Sequence, residues 1–244
     1  MRTRIGRRRE SGMDAIAMLT VGQAPRDDLV PHMAAVFSRR VEIWEAGVLD
    51  GLSREAMAAL APEPGEVGIV ARLRDGTSTL LSHRKITPRV QALVDQAAAR
   101  GVGLIVILCG ADWSAIRSPV LVVNPGKVYP AVISALAAGW RLGVIKPSPG
   151  QIAQAQRQFA ARGIDAVVTA ASPYTGPQRL HDVRAAAETL RQAGVDLVWM
   201  TCVGMDEAMR SVVREVTGKP VILARTILAR IIDEFLATER VAVA

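Results

Sequence analysis

Short runs of valine, isoleucine and leucine alternate along this chain with longer alanine-rich stretches whose apolar residues recur at helical spacing. The short runs predict strands over 15–21, 41–45, 104–108, 121–123, 142–145, 166–170, 197–200 and 221–223. Short runs of this kind alternating with helical stretches are the pattern of parallel strands joined by crossover helices. The helical stretches are strongest over 88–100, 149–162, 177–193, 205–216 and 226–236. Residues 67–73 and 77–82 flank Asp75-Gly76, a tight-turn pair, and predict a β-hairpin inserted into this regular order.

The pattern also repeats. Each half opens with a strand, a proline-containing loop and a helix ("LTVGQAPRDD" and "GVIKPSPGQI"), and each later reaches an apolar strand ending in cysteine ("LIVILCG" and "LVWMTCVG"). The expected fold is α/β: two Rossmann-like three-layer domains related by pseudo-two-fold symmetry, with a ligand cleft between them. The expected boundaries are a basic tail at 1–12, an N-terminal domain at 13–130 plus 218–244 with its hairpin near 67–82, and a C-terminal domain at 131–217. The junction falls near residues 124–140, and the last helix packs back on the first domain.

Composition narrows the function. No apolar run approaches the roughly 18 to 20 residues that a membrane span needs. The short apolar run after the basic N-terminus lacks the small-residue cleavage site of a signal peptide. A cytoplasmic location is therefore expected, with both cysteines reduced. Of the net charge of +7, the first ten residues carry +4, because Arg2, Arg4, Arg7, Arg8 and Arg9 face only Glu10. The remainder is mildly basic, and aromatic residues make up just 4%, which argues against a nucleic-acid surface built on stacking. Met13 directly precedes the first strand, so the tail reads more simply as an extension.

The chemistry concentrates at Cys109 and Cys202, the two cysteines of the chain. Both follow strands that end where parallel sheets bind ligands, beyond the carboxyl ends and near helix N-termini. A free cysteine is often a small buried hydrophobe. Two at equivalent points of two similar halves, with Gly110 and Gly204 permitting close backbone approach, favour a shared site. A thiolate at a helix N-terminus has a lowered pKa and acts as a base, and a facing thiol delivers a proton to the other side of a planar carbanion. Alternatively, one thiolate attacks an electrophilic carbon.

Taken in order, "LTVGQAPRDD", "EAGVLDGLSREAMAALAP", "RLRDGT", "LCG", "ASPY", "CVGMDEAMR" and "TGKPVILARTILARI" resemble the AroM family from Met13 to the last helix. That family in turn resembles the aspartate/glutamate and hydantoin racemases, maleate isomerases and arylmalonate decarboxylases. The resemblance implies a cofactor-independent enzyme of racemase type, a homodimer, acting at the carbon alpha to the carboxylate of a small acid. It makes Cys109 and Cys202 the catalytic pair. Gly22 and Pro25 then shape the loop after the first strand, Gln23 contacts a carboxylate and Arg26 clamps one with its planar fork. Ser172, Tyr174 and Thr201 supply hydroxyls, with Val203 and Gly204 lining the second cysteine. The alternative for Arg26 is a solvated first-turn residue or an ion pair with Asp27 or Asp28, against which the clamp is favoured; Ser172-Pro173 reads equally as a plain turn.

One position departs from the racemase pattern: Gly110 stands where those relatives place Thr or Asn. It keeps a rival reading open, a non-catalytic protein that binds or senses small carboxylates, and a decarboxylase or isomerase with one covalent cysteine is a further alternative. Asp112 is a candidate for orienting a group near Cys109, and Arg225 for facing the cleft. His32, His83 and His181 lack metal-ligand spacing. No G-x-G-x-x-G follows the first strand. Lys127 reads as a surface helix residue.

Overall fold

The computed structural model describes residues 13–237, so the basic tail at 1–12 lies outside the described residues. The first half runs β1 (Ala15–Thr20), α1 (Val30–Ala34), β2 (Glu42–Gly47), α2 (Arg54–Ala58), the hairpin β3 (Ile69–Arg72) and β4 (Ser78–Leu81), α3 (His83–Ala99), β5 (Leu104–Ile107) and β6 (Leu121–Val123). Helix α4 (Pro125–Leu136) leads to the second half: β7 (Leu142–Lys146), α5 (Ile152–Ala160), β8 (Ala166–Ala170), α6 (Arg179–Gln192), β9 (Leu197–Met200), α7 (Glu207–Thr217), β10 (Val221–Leu223) and α8 (Ala224–Leu236).

Two four-stranded parallel sheets result. The first has the order β2-β1-β5-β6 and the second β8-β7-β9-β10, so the opening strand of each half sits inside its sheet, with the second strand on one flank and the third on the other. β1 corresponds to β7 and β5 to β9. The strand that precedes Cys109 and the strand that precedes Cys202 thus hold the same place in two copies of one topology. β5 is buried along its whole length, as its unbroken apolar run "LIVI" requires. The hairpin is antiparallel, pairing Ile69 with Leu81 and Arg72 with Ser78 across the Asp75-Gly76 turn.

The helices start where short polar side chains cap them. Ser82 Oγ accepts the Lys85 N–H at 3.2 Å, so α3 begins at His83 and contains Pro88 instead of starting from it. Asn124 Oδ1 accepts the Gly126 N–H at 3.1 Å and Pro125 opens α4, which makes a helix of the expected junction. Asp206 Oδ1 accepts the Met209 N–H at 2.9 Å, and α7 buries Met209, Val213 and Thr217 at four-residue spacing before ending at Gly218, whose φ of 65° is left-handed.

One apolar cluster runs through both sheets, from Ile16 and Met18 through Tyr129 and Ile133 to Val144, Trp199, Leu228 and Ile232. The chain end is divided between the halves. β10 pairs with β9 and belongs to the second sheet, although the sequence grouped residues 218–244 with the first half. Helix α8 crosses back, where Asp233 Oδ1 accepts the Ser38 N–H at 2.5 Å and the Leu236 carbonyl accepts Arg39 Nε at 2.8 Å.

Candidate active site

Beyond the carboxyl ends of the two sheets lies a cavity of about 850 Å³, and both Cys109 and Cys202 line it. Parallel strands direct their carboxyl-terminal loops to one edge, so two sheets facing each other deliver both loops to one space. Val21, Arg26, Gly110, Tyr174, Thr201 and Val203 share this lining, as do Tyr129, Trp199 and Lys146. The hairpin forms one wall through Val67, Gly68, Ile69 and Val70. It is fastened to both halves: Gln23 N–H donates to the Arg72 carbonyl at 3.0 Å, and Gln151 Nε2 donates to the Gly68 carbonyl at 2.9 Å.

The two sulfurs have different surroundings. Cys109 is buried and Cys202 partly open. Burial pushes the Cys109 thiol up to about 12; the Ala111 N–H aimed at it works the other way, and the charge of Cys202 adds to the rise. Cys202 Sγ accepts the Gly204 N–H at 3.4 Å. Neither cysteine begins a helix, contrary to expectation. A loop follows Cys109 as far as β6, and α7 starts five residues after Cys202 with its N-terminus already capped by Asp206. The helix N-terminus expected beside each sulfur is not there.

Arg26 is also placed differently from the expected clamp. Its Nε and Nη2 donate to the two oxygens of Asp28 at 2.8 Å and 2.9 Å, Nη1 donates to Thr20 Oγ1 at 3.2 Å and Nη2 to the Tyr174 hydroxyl at 3.3 Å. The fork is occupied by a protein carboxylate. Burial opposes its charge, but the Asp28 hydrogen bond and the surrounding charges outweigh burial and raise its pKa. For Asp28, burial is outweighed by the Arg26 hydrogen bond and by Arg26, Arg72 and Arg225, which hold the carboxyl below its usual range. Arg225 faces backbone, not the cavity: it donates to the carbonyls of Val203, Gly204 and Asp28 at 3.0, 2.9 and 3.1 Å, joining the loops after β9 and β1.

The remaining predicted residues divide in the same way. Gly22, Gln23, Pro25, Ser172 and Gly204 do not line the cavity. A Cβ on Gly22 would stand 2.1 Å from the Arg72 carbonyl oxygen, so this glycine admits the hairpin instead of a ligand. Gln23 Oε1 accepts the Arg74 N–H at 2.8 Å, and the Ala24–Pro25 peptide beside it is cis. Ser172 Oγ accepts the Tyr174 N–H at 3.1 Å, a local turn. Gly204 meets the Tyr174 hydroxyl, 2.1 Å from where its Cβ would be, whereas a Cβ on Gly110 would find nothing nearer than 3.7 Å. Close approach is needed at Gly204 and not at Gly110. Thr201 lines the cavity, but its Oγ1 donates to the Ile145 carbonyl at 3.1 Å, so its one hydroxyl proton is committed to the backbone. Asp112 binds Asn124 Nδ2 at 3.0 Å and the Ser114 N–H at 2.9 Å, and so pins the loop after Cys109.

Lys146 and Tyr129 escaped the sequence reading. Lys146 ends β7, beside the β9 strand that leads to Cys202. Burial lowers its pKa, and the two thiols, when ionised, oppose that. A lysine closing an otherwise apolar parallel strand was a readable signal in "GVIKPSPG". Tyr129, in α4 beside the exposed Lys127 that was read as a surface helix residue, packs edge-on against Trp199 at 5.1 Å and donates to the Ala224 carbonyl at 3.1 Å. Among the described residues, no group of three or more His, Cys, Asp or Glu is placed to hold a metal ion.

Comparison with solved structures defines the class first. The Picrophilus torridus aspartate racemase superposes with a TM-score of 0.56 over 91% of this chain and 93% of its own, at 13% identity. Arylmalonate decarboxylase gives 0.52 over 90% and 92% at 12% identity. An aspartate racemase homologue from Pyrococcus horikoshii OT3 gives 0.50 over 92% and 100% at 10% identity. The fold is the racemase-like pair of parallel α/β sheets flanked by helices. The family follows from the sequence: the model of the AroM protein matches residues 16–236, and the chain belongs to that family. A comparison with curated proteins finds no match.

Proposed function

We propose that this protein is a cofactor-independent enzyme that moves a proton at the carbon alpha to the carboxylate of a small acid, as a racemase, an isomerase or a decarboxylase does. The observation that carries this reading is that Cys109 and Cys202, at the ends of the equivalent strands β5 and β9, line one cavity. The two sheets act as two domains, each contributing one sulfur. Cys109, with its thiol pushed up to about 12, is the proton donor at neutral pH. Cys202, the more open sulfur with an N–H aimed at it, takes the proton from the opposite face. Negative charge developing on the substrate meets the Tyr174 hydroxyl, which accepts an Arg26 N–H and keeps its own O–H to donate.

The experiment is proton exchange in D2O, followed by NMR across a panel of α-substituted carboxylic acids. The reading predicts protein-dependent loss of an α-proton signal from at least one acid. Binding of an acid without exchange favours the rival, a carboxylate-binding protein without turnover, which the glycine at 110 supports.

A further inference from the structure

Lys146 is the one cation in the wall of the cavity that is both enclosed and without an acidic partner among the described residues. The other enclosed or nearby cations are committed. Arg26 is bound by both oxygens of Asp28. Arg72 lies 3.7 Å from Asp28 and donates to the Leu73 carbonyl at 3.3 Å. Arg225 is spent on three backbone carbonyls. Arg157 and Arg162 lie at the exposed rim.

The position of Lys146 follows from the sheet. Ile145 pairs with Met200, and the Thr201 N–H and Oγ1 both donate to the Ile145 carbonyl at 3.1 Å. The next residue on each strand is then Lys146 on β7 and, one further, Cys202 after β9. The acidic groups that act on the Lys146 amine, when ionised, are Cys202 and Cys109, against the burial that lowers its pKa. An ammonium in the wall of a cavity that it shares with two thiols, with no carboxylate paired to it among the described residues, is costly unless an anion joins it.

We propose that Lys146 is the carboxylate anchor of this cavity, pairing its ammonium with the carboxylate of a bound acid and holding the adjacent carbon between the two sulfurs. The inference rests on the reading of the cavity as a small-carboxylate site, and it gives Lys146 the task that Arg26 cannot perform. It also narrows the ligand. One uncommitted enclosed positive charge, a point charge with three donors, matches one carboxylate.

The test reads binding of anions near the sulfurs and does not depend on turnover. Alkylation of Cys202 by iodoacetate and by iodoacetamide is followed by peptide mass spectrometry, and the ratio of the two rates is compared with that of N-acetylcysteine under the same salt. The anchor predicts a ratio about tenfold above the small thiol in the native protein, because one nearby positive charge draws the anionic reagent. In Lys146→Met the ratio falls to that of the small thiol, and in Lys146→Arg it stays raised. A native ratio equal to that of N-acetylcysteine overturns the proposal without any variant, and so does a raised ratio that Lys146→Met leaves unchanged. If the D2O exchange fails while the ratio behaves as predicted, the anchor stands and the proton-transfer reading falls.

Discussion

Arg26 and Asp28 hold each other through two hydrogen bonds of 2.8 Å and 2.9 Å at the wall of the cavity, and the Tyr174 hydroxyl takes a third N–H at 3.3 Å. The loop after β1 is thereby tied to the loop after β8, in the other half. A guanidinium 2% exposed cannot be left without its counter-charge. Asp28→Asn should therefore cost about 3 kcal/mol in urea unfolding. The pH dependence has a definite sign. The Asp28 pKa is depressed in the folded protein, so its contribution is present above the ordinary carboxylate range and is lost as pH falls through the lower folded value. The native protein should lose stability more steeply than Asp28→Asn below about pH 4.

The two sulfurs should separate by pH. Cys109 rises from an ordinary value of 9.0 to about 12 because it is buried. Its folded pKa is raised, so its contribution to stability is complete below the ordinary thiol value and is lost as pH rises toward 12. In alkylation followed by peptide mass, Cys109 should stay slow through pH 9, while Cys202 is modified first. Equal rates at pH 7 would show that the burial of Cys109 is not as described.

The glycines beside the sulfurs should respond oppositely to an added methyl group. Gly110→Ala meets only ordinary contacts, at 3.7 Å and beyond, and should change stability by less than about 0.5 kcal/mol. Gly204→Ala runs into the Tyr174 ring, whose hydroxyl and Cζ lie 2.1 Å and 2.6 Å away, and should cost about 1 to 3 kcal/mol. Thermal unfolding of the two variants decides this. Because a Cβ at position 110 has room, Gly110→Thr and Gly110→Asn, the residue types that the racemase resemblance leads one to expect there, should also fold.

Much of the scaffold was legible because buried parallel strands announce themselves. "LVV", "AVVTA", "LVWM" and "VIL" form strands over the ranges that the sequence predicts. The proline-containing helices were harder. Pro88 looked like a helix start, yet the Ser82 cap lies upstream of it, and the junction at 124–140 was given one helix residue, Lys127, where α4 runs from Pro125 to Leu136 behind the Asn124 cap. The shared cavity of the cysteines was legible from the repeat, but their electrostatics were not, since burial and the absence of an adjoining helix are tertiary facts. Arg26 failed as a clamp for the same reason. Its partner is two residues away in sequence, but only the fold shows that both oxygens of Asp28 are turned to it.

The central claim is that sulfurs from both halves act on opposite faces of one carbon. It is tested most directly by α-proton exchange of resolved enantiomers in D2O with Cys109→Ser and Cys202→Ser. The account predicts that each variant loses interconversion by at least about 100-fold. It further predicts that Cys109→Ser still exchanges one enantiomer without inverting it, and that Cys202→Ser does not exchange that enantiomer. Interconversion at the native rate in either variant would contradict it.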